Sequence, residues 1–124
     1  MSIVWLPRIA VMALATFVLI QPAEADTSAS QWIKQYRDSV AQTRQIIERI
    51  TAAEEDGMGW HAARTKVETY CPPKKLSLTG NQLLDILGRS IESSPALGEQ
   101  PWALALLLSL EKTFPCPNVG ANRP

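Results

Sequence analysis

From Trp32 onward, apolar side chains recur at Ile33, Tyr36, Val40, Ile47 and Ile50, in steps of three and four with one polar interruption at Thr43. That period predicts a single amphipathic helix. Ser30 is its expected N-cap, and Lys34, Arg37, Asp38, Arg44, Glu48 and Arg49 fall on its solvated side. A narrow stripe of long apolar side chains predicts packing against one partner surface rather than burial all round. Two readings of residues 54–61 stand. Gly57 or Gly59 can be a C-cap that stops the helix. Alternatively, Ala53, Gly57 and Trp60, four and then three apart, form a small-residue groove that another helix can approach, and the helix runs on to about Arg64. Each interior glycine costs about 1 kcal/mol against alanine, which packing can offset. The spacing leans toward continuation, followed by irregular structure over residues 65–77.

The double proline after Cys71 excludes a helix there and predicts an extended, exposed connector carrying Lys74 and Lys75. Thr79-Gly80-Asn81-Gln82 matches the capping box and opens a second helix. Its apolar positions are Leu83, Leu84, Ile86, Leu87 and Ile91, and Pro95 closes it. Pro101 suits the first turn of a third helix. Residues 102–110 (WALALLLSL) are apolar almost all round. Such a helix is too short to span a bilayer and is either the buried centre of a domain or one side of an oligomer interface. Residues 118–124 read as a loose tail.

The N-terminal pattern has a different meaning. Arg8 is followed by the apolar run of residues 9–20 and then by Ala23-Glu24-Ala25, the three parts of a secretory signal. Residues 1–25 are therefore expected to be a cleaved signal peptide, and residues 26–124 a single mature domain in a bacterial periplasm. A retained anchor is the alternative, but the apolar run falls short of the roughly 20 residues that span a bilayer. With 12 basic and 12 acidic residues, the balanced charge argues against nucleic-acid or membrane-surface binding.

Export changes how the two cysteines are read. Cys71 and Cys116 are expected to form a disulfide, since paired cysteines in small exported chains are oxidised far more often than free. The bond would clasp the second and third helices at their base. Closing a loop of this length stabilises by about 4 kcal/mol in the chain-entropy model. The expected fold is an all-α bundle of three to four helices with one disulfide.

Chemistry-bearing residues are few. His61 is the only histidine, and none of its acidic neighbours Glu54, Glu55 and Asp56 lies four residues from it on a helix. No phosphate loop, C-x-x-C pair or haem motif occurs. No catalytic residue, metal site or cofactor is expected, and an enzyme would need a pocket joining His61 to Glu54 or Glu55. Trp32, Trp60 and Trp102 are read as core or interface anchors.

The series Gly57-Met58-x-Trp60, Tyr70-Cys71-Pro72-Pro73, Leu76-Ser77-Leu78-Thr79, Gln82 and Thr113-Phe114-Pro115-Cys116 resembles the Rap/Tai family of small exported helical proteins, over residues 46–117. The resemblance implies a disulfide-bonded helical fold, often dimeric, whose founding members are periplasmic immunity proteins. Those bind and block peptidoglycan amidase toxins delivered by type VI secretion. A small envelope stress or chaperone-like protein is the alternative, suggested by the apolar last helix. For a partner contact, the connector with Lys74 and Lys75 is the first candidate, because a segment held by a disulfide loses less entropy on docking.

Overall fold

A computed structural model describes residues 27–117. The expected signal peptide, its cleavage point and the C-terminal tail lie outside these residues. The order of elements is α1 (Ala29–Asp38), α2 (Ala41–Thr65), α3 (Gly80–Ser93), a 3-10 turn (Pro95–Glu99) and α4 (Trp102–Thr113). The fold is all-α, as expected.

The first helix is two helices. Ser39 and Val40 adopt extended backbone, with ψ of 154° and 159°, and the Ser39 hydroxyl donates to the Gln35 carbonyl at 2.5 Å. The reason lies in what must meet. On one straight helix, Trp32 and Thr51 would be about 28 Å apart, yet the Trp32 indole N–H donates to the Thr51 hydroxyl at 3.2 Å. The Tyr36 hydroxyl likewise donates to Glu48 at 2.7 Å across the break. Folding back moves the face boundaries: Val40 and Ile50, expected on the buried stripe, are 72% and 45% exposed.

The cap also differs from expectation. Ser28, two residues before Ser30, accepts from the Gln31 amide, and the Gln31 side chain accepts from the Ser28 amide, both at 3.3 Å. This reciprocal pair satisfies two donors that the first turn leaves open. The same segment is tied to the start of α4: the Ala29 amide donates to the Gln100 carbonyl at 2.8 Å and the Trp102 amide to the Thr27 carbonyl at 3.0 Å. Trp32 and Trp102 stack at this junction, ring centroids 4.5 Å apart and planes 14° from parallel.

α2 does continue through both glycines and ends at Lys66, the one non-glycine described residue with positive φ. The expected helix-approach groove is not filled. A Cβ at Gly57 or Gly59 would meet nothing within 4 Å, and Trp60 is 78% exposed instead of anchoring a core. Helix approach occurs at Gly80, where a Cβ would lie 2.2 Å from the Glu48 carbonyl oxygen. Hydrogen at that position lets α3 start directly against the α2 backbone.

The capping box of α3 is present, with Gln82 accepting from the Thr79 amide at 2.9 Å. Leu83, Leu84, Ile86 and Leu87 are buried, and with Ile47, Ala105, Leu106 and Leu110 they make the core. Ile33 and Trp32 close it from α1. α4 turns its apolar surface mostly inward, leaving Leu104 and Leu108 partly exposed. Two buried hydroxyls are satisfied along their own helices, Thr51 to the Ile47 carbonyl at 2.8 Å and Ser109 to the Ala105 carbonyl at 2.7 Å. Thr51 thereby donates to its own helix while accepting from Trp32.

Cys71 and Cys116 are bonded, with their Cα atoms 4.9 Å apart. Beside the bond, the Cys71 amide donates to the Phe114 carbonyl at 2.7 Å. The bridge ties the entrance to α3 to the exit from α4, which is the clasp the sequence predicts.

Candidate functional site

Between α2 and α3 the chain runs from Lys66 to Thr79 without regular structure. Three attachments position it. The disulfide and the Cys71–Phe114 backbone bond fix its middle. The Tyr70 hydroxyl, donating to Glu55 Oε1 at 2.7 Å, ties it to α2. Because β-turn geometry needs only one backbone bond to close, the Leu76 amide donating to the Pro73 carbonyl at 2.8 Å makes a tight turn with Lys74 and Lys75 as its two corner residues. Both lysines are exposed. The structure thus places the two candidate contact residues side by side on a held turn.

Beneath the connector lies an open groove of about 570 Å³, whose lining includes Glu55, Met58, Ala62, Lys66, Tyr70 and Pro72. Lys74 and Lys75 are outside that lining, as is His61. Burial, then the hydrogen bond to Glu55, raises the Tyr70 pKa well above the ordinary phenol value of 10.0. The phenol therefore stays protonated and holds the carboxylate as a donor. In that state neither group is a free base. The groove has a mostly apolar wall that also carries the Tyr70–Glu55 pair, Lys66 and Glu68, an arrangement that can receive a side chain.

His61 is exposed on the far part of α2, and Glu54, although half-buried, does not line the groove with Glu55. Neither of the two grooves that Glu55 lines includes His61. Glu68 lies close to both sulfurs of the clasp. Sulfurs bonded to each other offer no thiolate, the form in which cysteine ligates metals.

One surface was read from the sequence only in part, as the Ala53, Gly57 and Trp60 groove. Thr43, Ile46, Ile50, Ala53, Gly57 and Trp60 follow one another at three- and four-residue steps along α2. They lie on a flank of α2, about a third of a turn round the helix from Ile47, Thr51 and Met58, the side chains that α2 presents to the bundle. The signal was available as a second period beside the first. It was hidden because Ile50 fits either stripe when the helix is taken as unbroken.

Comparison with family profiles, with curated proteins and with solved structures returns no match.

Proposed function

We propose that the protein is an exported binding protein that neutralises a peptidoglycan amidase in the periplasm. The observation that carries this reading is the clasped connector: a turn bearing two adjacent exposed lysines, held by a disulfide, a backbone bond and the Tyr70–Glu55 pair. Ordering a surface in advance reduces the entropy lost when it docks. Two cations at a turn also favour a partner whose cleft rim is acidic, and they speed encounter at low salt. The motif resemblance and the expected export signal supply the compartment and the partner class. In this reading the disulfide serves binding as well as stability, by keeping the connector in one shape.

The test is a titration of the purified protein into peptidoglycan digestion by purified secreted amidases, beginning with any encoded beside its gene. Stoichiometric loss of amidase activity supports the reading. Full amidase activity at large excess, together with unaltered resistance of a deletion strain to its kin, would falsify it. Replacing Lys74 and Lys75 together by glutamate is expected to weaken the complex about tenfold or more, as like charges replace complementary ones. Unchanged affinity would remove the turn from the contact.

A further inference from the structure

Gly59 stands in the last third of α2 for no reason that the packing of the bundle supplies. A Cβ there would meet nothing within 4 Å, while glycine inside a helix gives up stability that alanine would return. What the missing side chain does is join two hollows. Glu55, Gly59 and Ala63 line both the groove of about 570 Å³ beneath the connector and a second, open groove of about 370 Å³ bounded by Asp56 and Trp60. Each helical residue turns about 100°, so the order round α2 is Glu55, Gly59, Ala63, Asp56 and Trp60. The two grooves are therefore one trough across the helix. Tyr70 and Pro72 stand at one end, the Trp60 indole at the other, and only small side chains in the middle.

The ends differ in chemistry. Trp60 is 78% exposed, and Asp56, one turn before it, is exposed and forms no ion pair among the described residues. An aromatic face with a carboxylate beside it suits a cation, which the negative face of the ring and the opposite charge both attract. At the connector end, Met58, Ala62, Pro72 and the Tyr70 ring offer apolar surface. Over the whole trough, Glu55, Asp56 and Glu68 outnumber the one lining cation, Lys66.

We infer that this trough docks an extended basic segment of a partner protein. A lysine or arginine side chain of the segment lies over Trp60 beside Asp56, its backbone crosses at Gly59, and an apolar side chain fills the space under the connector between Met58 and Pro72. A backbone can come close to a helix where no Cβ stands in its way. The path round α2 from Trp60 to Glu55 is about 12 Å, which is three to four residues of extended chain, so the two anchors of the segment are that far apart. A sugar would also stack on an exposed indole, but it would leave the excess negative charge and the apolar end unmatched. Lys74 and Lys75 line neither groove, and the inference does not rest on the amidase reading: a partner of any activity that presents such a segment fits.

Selection of a random dodecapeptide phage library on the purified protein tests it, with the Gly59→Leu variant as counter-target. Leucine at this position enters open space and favours the helix, so urea denaturation should show the variant at least as stable as wild type. The selected peptides are expected to carry lysine or arginine three or four residues from an apolar side chain. By calorimetry, a selected peptide made synthetically should bind wild type at least about tenfold more tightly than it binds Gly59→Leu, Trp60→Ala or Asp56→Lys. No enrichment over the counter-target, a consensus without a cation, or an affinity unchanged by Gly59→Leu would each overturn the proposal. So would failure of the selection together with binding of an N-acetylglucosamine oligomer that Trp60→Ala abolishes, which would assign the trough to glycans.

Discussion

Thr51 is the residue on which the α1–α2 fold-back turns. Its hydroxyl accepts from the Trp32 indole and donates to the Ile47 carbonyl, all in the buried interior. Thr51→Val keeps the shape but strands the indole N–H, and a buried donor without an acceptor costs about 1–3 kcal/mol. Urea denaturation should show that loss, and Thr51→Ser should recover much of it. The glycines make a second residue-scale contrast. Gly80→Ala drives a methyl into the Glu48 carbonyl and is expected to destabilise by about 3 kcal/mol. Gly59→Ala meets open space inside a helix and is expected to stabilise by about 1 kcal/mol. Equal effects at the two positions would contradict the packing described. Tyr36 and Tyr70 are the only tyrosines, and both pKa values are raised, for Tyr36 chiefly by its bond to Glu48 and for Tyr70 chiefly by burial. An acid whose folded pKa exceeds its unfolded value gives stability that is complete below the unfolded pKa. Stability should therefore hold from neutral pH to about 10 and fall as pH climbs further toward the folded values. Tyr70→Phe should flatten that fall, and tyrosinate absorbance should show no phenol ionising at its ordinary pH in the folded protein.

At the scale of elements, legibility followed how local the cause was. The capping box at Thr79 and Gln82, the stop at Pro95 and the apolar period of α3 are short-range instructions, and each appears where the sequence puts it. Continuation of α2 through Gly57 and Gly59 also follows from spacing. The break at Ser39 and Val40 does not. Neither residue is glycine or proline, and an unbroken amphipathic pattern runs across them. What breaks the helix is the distant pairing of Trp32 with Thr51 and of Tyr36 with Glu48, which no local window contains. The same omission hid how far the Ala53, Gly57 and Trp60 groove extends back along α2 toward Thr43, since a helix read as unbroken has one stripe and a folded-back pair has two. Of the candidate site, Lys74 and Lys75 were legible as an exposed pair. Their place at the corners of a closed turn, and the Tyr70–Glu55 tie beneath, were not.

For the whole molecule, the clasp joins local and global order. Its two ends are 45 residues apart, and between them lie α3, the 3-10 turn and α4. Opening it should lower unfolding free energy by about 4 kcal/mol in the chain-entropy model, so that a Cys71→Ser/Cys116→Ser variant unfolds at markedly lower urea. The connector should lose its shape before the core does, because Leu83, Leu84, Leu87, Leu106 and Leu110 remain packed without the sulfurs. Amide exchange over residues 66–79 should accelerate in the variant more than exchange in α3. The held connector depends on oxidation of these two residues, and that oxidation is what the expected address outside the cytoplasm favours. The most direct measurement is therefore thiol titration and peptide mapping of the protein recovered from its native compartment, denatured without reductant. No free thiol and one linked peptide pair containing Cys71 and Cys116 are expected; two free thiols in that material would contradict the clasp.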